Sequence, residues 1–413
     1  MVAVAVDCVY VVYRLLSALL NQIFDLYSQF CRFLKRPHQD SCELLRIVYR
    51  KSLLPADLTR PTVNFLFLHD DFVSWDVLLS ADWSLYALDR SHAYFVKMPG
   101  RSLEQSQADS APFLYMTQNS EATQLARLSL ESFCRFGSKV GKPKGSVVYF
   151  SNTARSGSTL LAQMLQVVDD WLVLAEPDVF TILPILWHEG HLSQPLYDSL
   201  IVACVNAICK DQKPNQTYVL KTRCNGTRLL ADLSRLLPQI RHLFSWRSDA
   251  AKCIDSTARM LKGVLASELY VPLVNLWPSL SNWIFGFSRV EGDVMAQLTP
   301  ADTVEMAYII YATPYSAYFH AKSKTEIVFT DFEDLKNNSR PELERIFGQL
   351  GIDDRFVELA MECFHTDSQK DTPLGKDSIG GVVIKENLLS PERKARYKQF
   401  DKVLGLENVT FWH

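Results

Sequence analysis

The residue types best suited to chemistry lie in a polar loop between an apolar strand pattern and an apolar helix pattern. Residues 151–159 are Ser-Asn-Thr-Ala-Arg-Ser-Gly-Ser-Thr. A loop in this position directs backbone N–H groups and a helix N-terminus at an anion. Gly157 lets the backbone approach closely, and Ser158 and Thr159 can cap the helix or donate to oxygen. Because Arg155 is the only fixed positive charge of the loop, the pattern predicts an anion site with arginine as its counter-charge.

The loop departs from the ATP-binding P-loop at two positions. Asn152 stands where that pattern has its first glycine, and Ser158 stands where it has its lysine. ATP sites balance several phosphate charges with Mg²⁺ and lysine, whereas a transferring sulfuryl group carries less charge and does not require a metal. Taken alone, the residues leave two interpretations open, which are an anion site without metal and a plain strand-to-helix turn with a helix cap.

The elements around the loop predict an α/β fold. Apolar strand patterns occur at residues 146–150, 171–175, 218–220, 242–246 and 327–329. Helical patterns lie between them, and strands that are apolar on both faces predict a parallel sheet covered on both sides. We therefore predict a three-layer fold of the P-loop type with a central parallel sheet over residues 141–413. Residues 263–324 are too long for one crossover and predict a helical insertion.

The N-terminal 140 residues predict an additional helical and α+β extension. Residues 1–60 begin with an amphipathic helix that ends before Pro37, followed by a second helical pattern at 41–49. Residues 61–140 form an accessory α+β region with short strand-like runs and a helical pattern at 121–136. No motif in this extension indicates a ligand.

Polar residues of the first helix recur every seven residues, at Asp7, Arg14, Asn21, Ser28 and Lys35. On a helix they form one stripe, and apolar side chains cover the rest of the surface. The longest uninterrupted apolar run is about six residues, far below the roughly 20 that span a bilayer. We expect this helix to pack on the protein, and peripheral contact of residues 1–35 with a membrane surface is the alternative.

Length and composition exclude several classes of protein. The chain has 413 residues, of which 48% are apolar and 22% charged, so it is not a mainly disordered protein. The net charge of −3 argues against a nucleic-acid partner. Nine cysteines without a Cys-x-x-Cys pair do not form a zinc or disulfide pattern. The sequence does not determine the compartment, which is cytoplasmic or membrane-associated. Asn-x-Ser/Thr triplets are glycosylation acceptors, so the Golgi is a third alternative. Oligomeric state is not indicated.

Five further segments follow the loop in a fixed order. They are Ala-Glu-Pro at 175–177, Val-Leu-Lys-Thr at 219–222, Phe-Ser-Trp-Arg at 244–247, Phe-Glu-Asp-Leu at 332–335 and Gly-Gly at 380–381. Together with Arg-Ser-Gly-Ser-Thr-Leu-Leu in the loop, they resemble the sulfotransferases that use PAPS (3′-phosphoadenosine-5′-phosphosulfate), in particular the carbohydrate and tyrosyl-protein branch and related bacterial enzymes. The resemblance covers roughly residues 146–400. Its specificity comes from the shared order of the segments.

The resemblance implies an activity and a co-substrate. Such a protein transfers a sulfuryl group from PAPS to an acceptor hydroxyl or amine, on a carbohydrate or a protein, and uses no metal. It would make residues 141–413 a sulfotransferase-like P-loop domain. The residues that would hold the 5′-phosphosulfate and stabilise the leaving oxygen are Arg155, Ser156, Gly157, Ser158 and Thr159.

Two more residues acquire a role through the resemblance. Arg247 and Ser256 would bind the 3′-phosphate, since a guanidinium fork matches phosphate oxygens. In the family the serine follows the arginine by eight residues, and Asp255 holds that position here. Either the turn contains one extra residue or the serine contact is lost.

Sulfuryl transfer to a hydroxyl also requires a base. Glu176 follows the second strand pattern, at the sheet edge where ligands bind, and is the candidate for this base. The alternative is that its carboxylate caps the following helix. The cytosolic branch of the family has a histidine two residues after the lysine, but here Arg223 holds that position and cannot be a base at neutral pH. Lys221 would orient the sulfuryl oxygens or merely extend to the surface. The predicted catalytic residues are Glu176, Arg155 and Lys221.

Two other functions stay open. The departures at Arg223 and Asp255 fit a non-catalytic relative that keeps the fold and the nucleotide. An ATP-dependent P-loop phosphotransferase is disfavoured, because Ser158 replaces the lysine and the sequence offers no convincing carboxylate for Mg²⁺.

Overall fold

The protein is described by a computed structural model of residues 2–51, 59–100, 103, 113–264, 267–284, 291–365 and 381–409. These residues form two compact units, each with a five-stranded sheet. The first unit comprises Met1–Lys144 and Pro177–Pro214, and the second comprises Gly145–Glu176 and Asn215–His413. Within the described ranges, no helix combines the length and hydropathy needed to cross a bilayer.

The described residues contain strands in both units. They are β1 (Ser41–Arg50), β2 (Phe65–Ser74), β3 (Trp83–Leu88), β4 (His92–Lys97), β5 (Gln124–Ser129), β6 (Ser146–Asn152), β7 (Trp171–Ala175), β8 (Thr217–Lys221), β9 (Arg241–Trp246) and β10 (Ile327–Asp331).

Helices connect and cover these strands. They are α1 (Val2–Lys35), α2 (Pro61–Asn64), α3 (Leu114–Glu121), α4 (Leu130–Val140), α5 (Ser158–Gln166), α6 (Val179–His188), α7 (Gln194–Ile208), α8 (Leu230–Leu236), α9 (Ala250–Val264), α10 (Ser267–Leu276), α11 (Pro278–Ile284), α12 (Gly292–Leu298), α13 (Thr303–Ala321), α14 (Phe332–Asn337), α15 (Ser339–Leu350), α16 (Val357–Glu362) and α17 (Pro391–Leu404).

The first unit contains an antiparallel sheet with strand order β2-β1-β5-β4-β3. Two predicted helices are wrong here. Residues 41–49 lie in β1, and the first part of the pattern at 121–136 is β5. Each of these strands pairs with a neighbour on both sides, so hydrogen bonding to distant segments overrides the local helical period. The helix α4 begins only after β5, where the Ser129 hydroxyl accepts a hydrogen bond from the Ser132 N–H at 3.2 Å.

The N-terminal helix α1 packs on this first unit, but with its polar stripe. The side chains of Arg14, Asn21 and Ser28 are buried. The Ser28 hydroxyl donates to the Glu43 carboxylate at 2.5 Å, and the Asn21 amide donates to the Thr62 carbonyl at 2.6 Å. Apolar side chains of α1 such as Leu16, Leu19 and Leu26 consequently point outward.

The second unit confirms the predicted α/β fold with a parallel sheet. Its strand order is β10-β9-β6-β8-β7, and every pair is parallel. Val148, Phe150 and Leu243 pack on one face with residues of α5 and α15. On the other face Phe244 stacks on Tyr318 of α13 with ring centroids 4.2 Å apart. Helices therefore cover both faces, which gives the three layers.

The strand register aligns the carboxyl ends of the parallel sheet. Lys221 at the end of β8 lies opposite Phe150 of β6 and Ala175 of β7. On the other side, Ser245 of β9 lies opposite Asn152, the last residue of β6. The loops that follow these strands consequently leave from one edge, which is where open α/β sheets bind ligands.

The segment between β9 and β10 is helical in its described residues and includes the predicted insertion at 263–324. The aromatic side chains of α13 face inward. Tyr315 stacks on Trp246 with centroids 4.6 Å apart, next to the stack of Tyr318 on Phe244. These tyrosines belong to the core of the second unit, as buried aromatic clusters usually do.

Candidate anion-binding and transfer site

The loop after β6 is held by hydrogen bonds to the neighbouring strand β9. The Thr153 N–H donates to the Ser245 carbonyl at 3.0 Å, and the Ser245 hydroxyl donates to the Ser156 carbonyl at 3.1 Å. The Ser156 hydroxyl in turn donates to the Thr153 carbonyl at 2.9 Å. Arg155 and Gly157 adopt left-handed backbone conformations, with φ of +58° and +72°. The loop is therefore a tight, internally bonded turn.

Gly157 is required by a close approach as well as by its φ. A Cβ atom built at this position would lie 2.1 Å from the ring of Phe332, the first residue of α14. Since no side chain tolerates such a distance, only glycine fits between the loop and this ring. Phe332 therefore forms a wall of the loop.

The N-terminus of α5 has no side-chain cap. Gly157 is its N-cap residue and supplies no side-chain hydrogen bond to the first turn. The first N–H groups of a helix have no partner within the helix, and they carry the positive end of its dipole. We expected Ser158 and Thr159 to cap the helix or donate to oxygen, and both lie within this first turn instead of at the N-cap.

Arg155 and Ser256 are in direct contact. The Arg155 Nε donates to the Ser256 hydroxyl at 2.7 Å, which links the loop to α9. Asp255, which holds the family's usual serine position, instead forms an ion pair with Arg259 at 2.7 Å. Successive helical residues point in directions about 100° apart, so Ser256 and not Asp255 faces the loop.

Arg247 follows β9 and is already paired with a carboxylate. Its Nε donates to Glu333 at 2.6 Å, and its guanidinium lies 5.1 Å from the centroid of the Phe332 ring. The Tyr311 hydroxyl donates to the Arg247 carbonyl at 3.0 Å, which fixes the backbone at this point. The side chains of Arg247 and Glu333 are only 15% and 18% exposed.

The positive charges of Arg247 and Arg155 both lower the pKa of one buried thiol, that of Cys253. Burial raises the pKa of Cys253 to about 12, and the positive charges of Arg247 and Arg155 both oppose this rise. The Cys253 thiol also contacts the Arg155 carbonyl at 3.8 Å. Arg247 lies 5.1 Å from the centroid of the Phe332 ring, and the same ring packs against Gly157, so both arginines border the loop.

Glu176, Lys221 and Arg223 form a second group at the ends of β7 and β8. The Lys221 Nζ donates to one Glu176 oxygen at 2.6 Å, and the Arg223 Nε lies 3.4 Å from the other. The three side chains are 12%, 3% and 12% exposed. Glu176 also has a left-handed backbone with φ of +59°, held by its N–H bond to the Lys221 carbonyl at 2.6 Å.

Some contacts at this edge were not predicted. The ion pair of Arg247 with Glu333 and the contact of Gly157 with Phe332 both come from the segment after β10. The sequence carries one signal for them, which is the Phe-Glu-Asp run directly after a buried strand. Gly380 of the predicted Gly-Gly motif lies outside the described residues.

The donor set suits a ligand with two anionic ends. Arg155, Ser256 and the N-terminus of α5 supply donors at one point, and Arg247 supplies a second cation on the Phe332 ring that forms a wall of the loop. The guanidinium fork and helix N–H groups match phosphate or sulfate oxygens. In the described part of the chain, no three His, Cys, Asp or Glu side chains are grouped so that they could hold a metal ion.

Comparisons with known proteins found one structural similarity to report. No family profile matches the sequence, and no curated protein matches it. Among solved structures, the chain is similar to the crystal structure of the sulfotransferase STF9 from Mycobacterium avium, with a TM-score of 0.35 and 9% sequence identity. The match covers 66% of this chain and 81% of that chain.

Proposed function

We propose that the protein is a sulfotransferase that uses PAPS and transfers its sulfuryl group to an acceptor hydroxyl or amine. The observation that supports this most is the contact of Arg155 with Ser256 beside the N-terminus of α5, with Arg247 against the Phe332 ring that forms a wall of the same loop. PAPS supplies an activated sulfuryl group and two anionic ends, and Arg155 and Arg247 each offer a cation for one of these ends.

In this proposal the loop binds the 5′ end of the nucleotide. Arg155 and the N–H groups of residues 156–159 bind the 5′-phosphosulfate and stabilise the charge that develops on the leaving oxygen. Arginine remains charged throughout and needs no metal to balance the ligand. Ser158, where ATP-binding loops have lysine, fits the smaller charge of a sulfuryl group.

Arg247 and Ser256 bind the 3′-phosphate in this proposal. Arg247 then exchanges its bond with Glu333 for bonds with phosphate oxygens, or it keeps Nε on Glu333 and binds with the remaining N–H groups. The ion pair with Glu333 orients the guanidinium before the ligand arrives. This preorganisation lowers the entropy cost of binding.

Glu176 is proposed as the base and Lys221 as the residue that orients the sulfuryl oxygens. The 2.6 Å bond between them means that the lysine and the acceptor proton compete for the same carboxylate. If Lys221 moves to the sulfuryl group when the donor binds, one Glu176 oxygen becomes available to the acceptor. A base positioned in this way contributes about 10²–10⁴-fold to the rate.

The same contacts favour one alternative, a non-catalytic nucleotide-binding relative of the fold. In that case the pairs of Glu176 with Lys221 and Arg223 are permanent and only stabilise the strand ends. The nucleotide would bind, but no acceptor would be modified.

Nucleotide binding is tested by thermal unfolding with 3′,5′-adenosine bisphosphate, with adenosine 5′-monophosphate, and with ATP plus Mg²⁺. At 100 times its Kd, a ligand stabilises the folded state by about 2.7 kcal/mol, which raises the Tm of a 413-residue chain by roughly 3 °C. We expect this rise with the bisphosphate only. A rise confined to ATP plus Mg²⁺ would support a phosphotransferase and end the proposal.

Transfer itself is tested with PAPS carrying labelled sulfur and a panel of carbohydrate, peptide and small-molecule acceptors. Label that moves to an acceptor supports the enzyme. Bisphosphate binding without transfer to any member of the panel would favour the non-catalytic alternative.

A further inference from the structure

The exposed face of α1 is broad and apolar, which is the reverse of an ordinary surface helix. At 100° per residue, its exposed apolar side chains cover an arc of about 140° around the helix axis. They are Val12, Leu15, Leu16, Leu19, Leu20, Ile23, Leu26, Tyr27, Phe30, Phe33 and Leu34, between 38% and 69% exposed. We refer to these eleven residues as the α1 apolar face. A contiguous apolar surface of this length on a folded protein marks an interaction site.

The α1 apolar face cannot turn inward, because the opposite side of α1 is bonded to the antiparallel sheet. The Glu43 carboxylate is 0% exposed and accepts hydrogen bonds from Ser28 at 2.5 Å and from Arg127 at 2.8 Å. Arg127 also pairs with Asp25 of α1 at 2.7 Å. Rotation of the helix would leave these buried charges without their partners, which is strongly unfavourable. The α1 apolar face is therefore a fixed outer surface of the first unit.

The area of the α1 apolar face is too small for a stable pair of helices. Residues 12–34 extend over about 33 Å, and a second helix would contact a strip about 10 Å wide, so the pair would bury roughly 660 Å² in total. Specific protein interfaces bury about 1,200–2,000 Å². A second helix, from another copy or from another protein, would also leave both sides of the arc in water.

The α1 apolar face offers a protein partner almost no polar group. Its arc contains no charged side chain and one hydroxyl, that of Tyr27. The charged residues Arg14, Asp25 and Arg32 all lie on the opposite side of the helix. Protein interfaces form about one hydrogen bond per 100–200 Å² and have a polar rim. A protein bound to this face would therefore lack the contacts that provide specificity.

A lipid surface fits both the width and the chemistry of this face. Acyl chains have no fixed shape, so they cover the complete arc, and they need no hydrogen bond from the helix. Tyr27 lies toward one edge of the arc, where a tyrosine hydroxyl can stay at the level of the headgroups. In a helix that lies on a membrane, the polar side normally faces water. Here the antiparallel sheet takes the place of that water.

Burial of apolar area, and not charge, would drive this binding. The basic residues of the last turn of α1 are already close to carboxylates. Lys35 pairs with Asp71 at 2.6 Å, and Arg32 lies 3.6 Å from Glu43. Attraction to anionic headgroups therefore adds little, and a zwitterionic lipid is sufficient.

We infer that α1 binds the surface of a phospholipid bilayer, with the helix axis along the surface and the α1 apolar face among the acyl chains. This inference concerns the first unit alone and does not depend on the proposed enzymatic function. It gives the protein a second binding activity, for the boundary between headgroups and acyl chains of a zwitterionic lipid such as phosphatidylcholine.

Binding is measured by flotation of the full chain with phosphatidylcholine vesicles, with and without phosphatidylserine, at about 0.1 M and about 0.5 M NaCl. The wild type should float with both kinds of vesicle at both salt concentrations, with partition coefficients that agree within about twofold. A double variant, Leu19→Glu with Leu26→Glu, should lower the partition coefficient at least about 100-fold, because it places two carboxylates among the acyl chains.

Two controls separate loss of binding from loss of structure. Both leucines of the double variant are 55% or more exposed, so its Tm should stay within about 2 °C of the wild type. Leu359→Glu, at a leucine of α16 that is 47% exposed, adds the same charge elsewhere and should float like the wild type.

Three outcomes would overturn the inference. The first is a wild type that stays unbound with phosphatidylcholine vesicles, and the second is a double variant that floats as well as the wild type. The third is binding that requires phosphatidylserine and is lost at the higher salt concentration, which would assign it to basic side chains. A wild type that ignores vesicles but forms a dimer in sedimentation equilibrium, dissociated by the double variant, would assign the α1 apolar face to a second copy.

Discussion

The two sheets each bury a glutamate against cations, but at different places along the strand. Glu43 lies within β1, is 0% exposed and pairs with Arg127. Burial alone would raise the pKa of the Glu43 carboxyl, but the charge of Arg127 and the hydrogen bond from Ser28 hold it below its usual range. Glu176 lies directly after β7, is 12% exposed and pairs with Lys221.

The difference shows that position, not charge pairing, indicates a candidate site. A carboxylate in the middle of an antiparallel strand is enclosed by its sheet and by α1, so it can serve only stability. A carboxylate at the carboxyl edge of a parallel sheet faces the place where ligands bind. The left-handed backbones of Glu176 and Arg155 add to this contrast, because strained conformations of this kind concentrate at functional sites.

Glu176→Gln should produce the largest effect at the parallel sheet. If Glu176 is the base, turnover falls by about 10²–10⁴-fold, because an amide cannot accept the acceptor proton. Binding of 3′,5′-adenosine bisphosphate serves as the control and should stay unchanged. Transfer is measured with an acceptor from the labelled-PAPS panel. Normal turnover would make Glu176 a structural residue like Glu43 and remove the contrast.

Arg127→Met should produce the largest effect at the antiparallel sheet. It removes the closest counter-charge of the buried Glu43 carboxylate and leaves the half-exposed Arg32 at 3.6 Å, which costs about 3–5 kcal/mol of unfolding free energy. The change is measured by urea unfolding. Arg235→Met is the matched control, since that side chain is 50% exposed, and it should change stability by less than about 0.5 kcal/mol. Equal effects of the two variants would contradict the buried-network interpretation.

Acid should act on the two sheets in different pH ranges. Burial lowers the pKa of His242 in β9 to about 4, so the folded state holds this imidazole neutral. In the unfolded chain His242 binds a proton below about pH 6.5, whereas in the folded chain it does so only near pH 4. The free energy of unfolding therefore falls by about 3 kcal/mol as the pH falls from about 6.5 to about 4. Glu43 has the lowered pKa of a paired carboxylate, so its contribution is present above roughly pH 4.3 and is lost below it.

The measurement for this prediction is urea unfolding between pH 7 and pH 4 in the wild type and in His242→Gln. The variant should lack the part of the pH dependence that lies above pH 4.3. Parallel curves for the two proteins would show that His242 does not cause it.

Arg155→Ala should lower the affinity for 3′,5′-adenosine bisphosphate by about 10–100-fold, because it removes a charge-assisted hydrogen bond. Affinity is measured by isothermal titration calorimetry. Lys252→Ala is the control, because Lys252 lies on α9, is 58% exposed and pairs with Asp249. An unchanged affinity in Arg155→Ala would place the anion elsewhere.

Ser256→Ala should have the smallest effect, a loss of about 2–10-fold in bisphosphate affinity. Asp255→Ala is its neighbour and should not weaken binding, since Asp255 pairs with Arg259. Titration of both variants tests the one-residue offset directly. The reverse order of effects would mean that the contact of Arg155 with Ser256 is not part of the site.

The parallel sheet could be predicted from the sequence because each of its strands and helices has its own pattern in a short segment of the chain. Its strands are apolar on both faces and alternate with helices, and its loop residues follow in a recognisable order. The antiparallel sheet could not be predicted in this way. β1 and β5 are strands because of partners far away in the chain, which local patterns do not contain. Nothing in the sequence indicates that Pro177–Pro214 belong to the first unit.

Within the candidate site, the individual residues were easier to predict than their partners. The resemblance selects Arg155, Ser256 and Arg247 as candidates by the order of their segments, and their role in binding stays a prediction. The pairing of Glu176 with both Lys221 and Arg223, and of Arg247 with Glu333, depends on side-chain directions at the ends of adjacent strands. Sequence also could not tell which face of α1 would be buried, since a polar stripe normally faces solvent.

The contact between Gly157 and Phe332 has a consequence for the order of assembly. The loop follows the first strand of the parallel sheet along the chain, and Phe332 follows the last. During synthesis the loop leaves the ribosome long before the ring that completes its wall, and such distant contacts form slowly. The wall of the loop is therefore complete only when β10 joins β9, and a nascent chain shorter than this should have no formed loop.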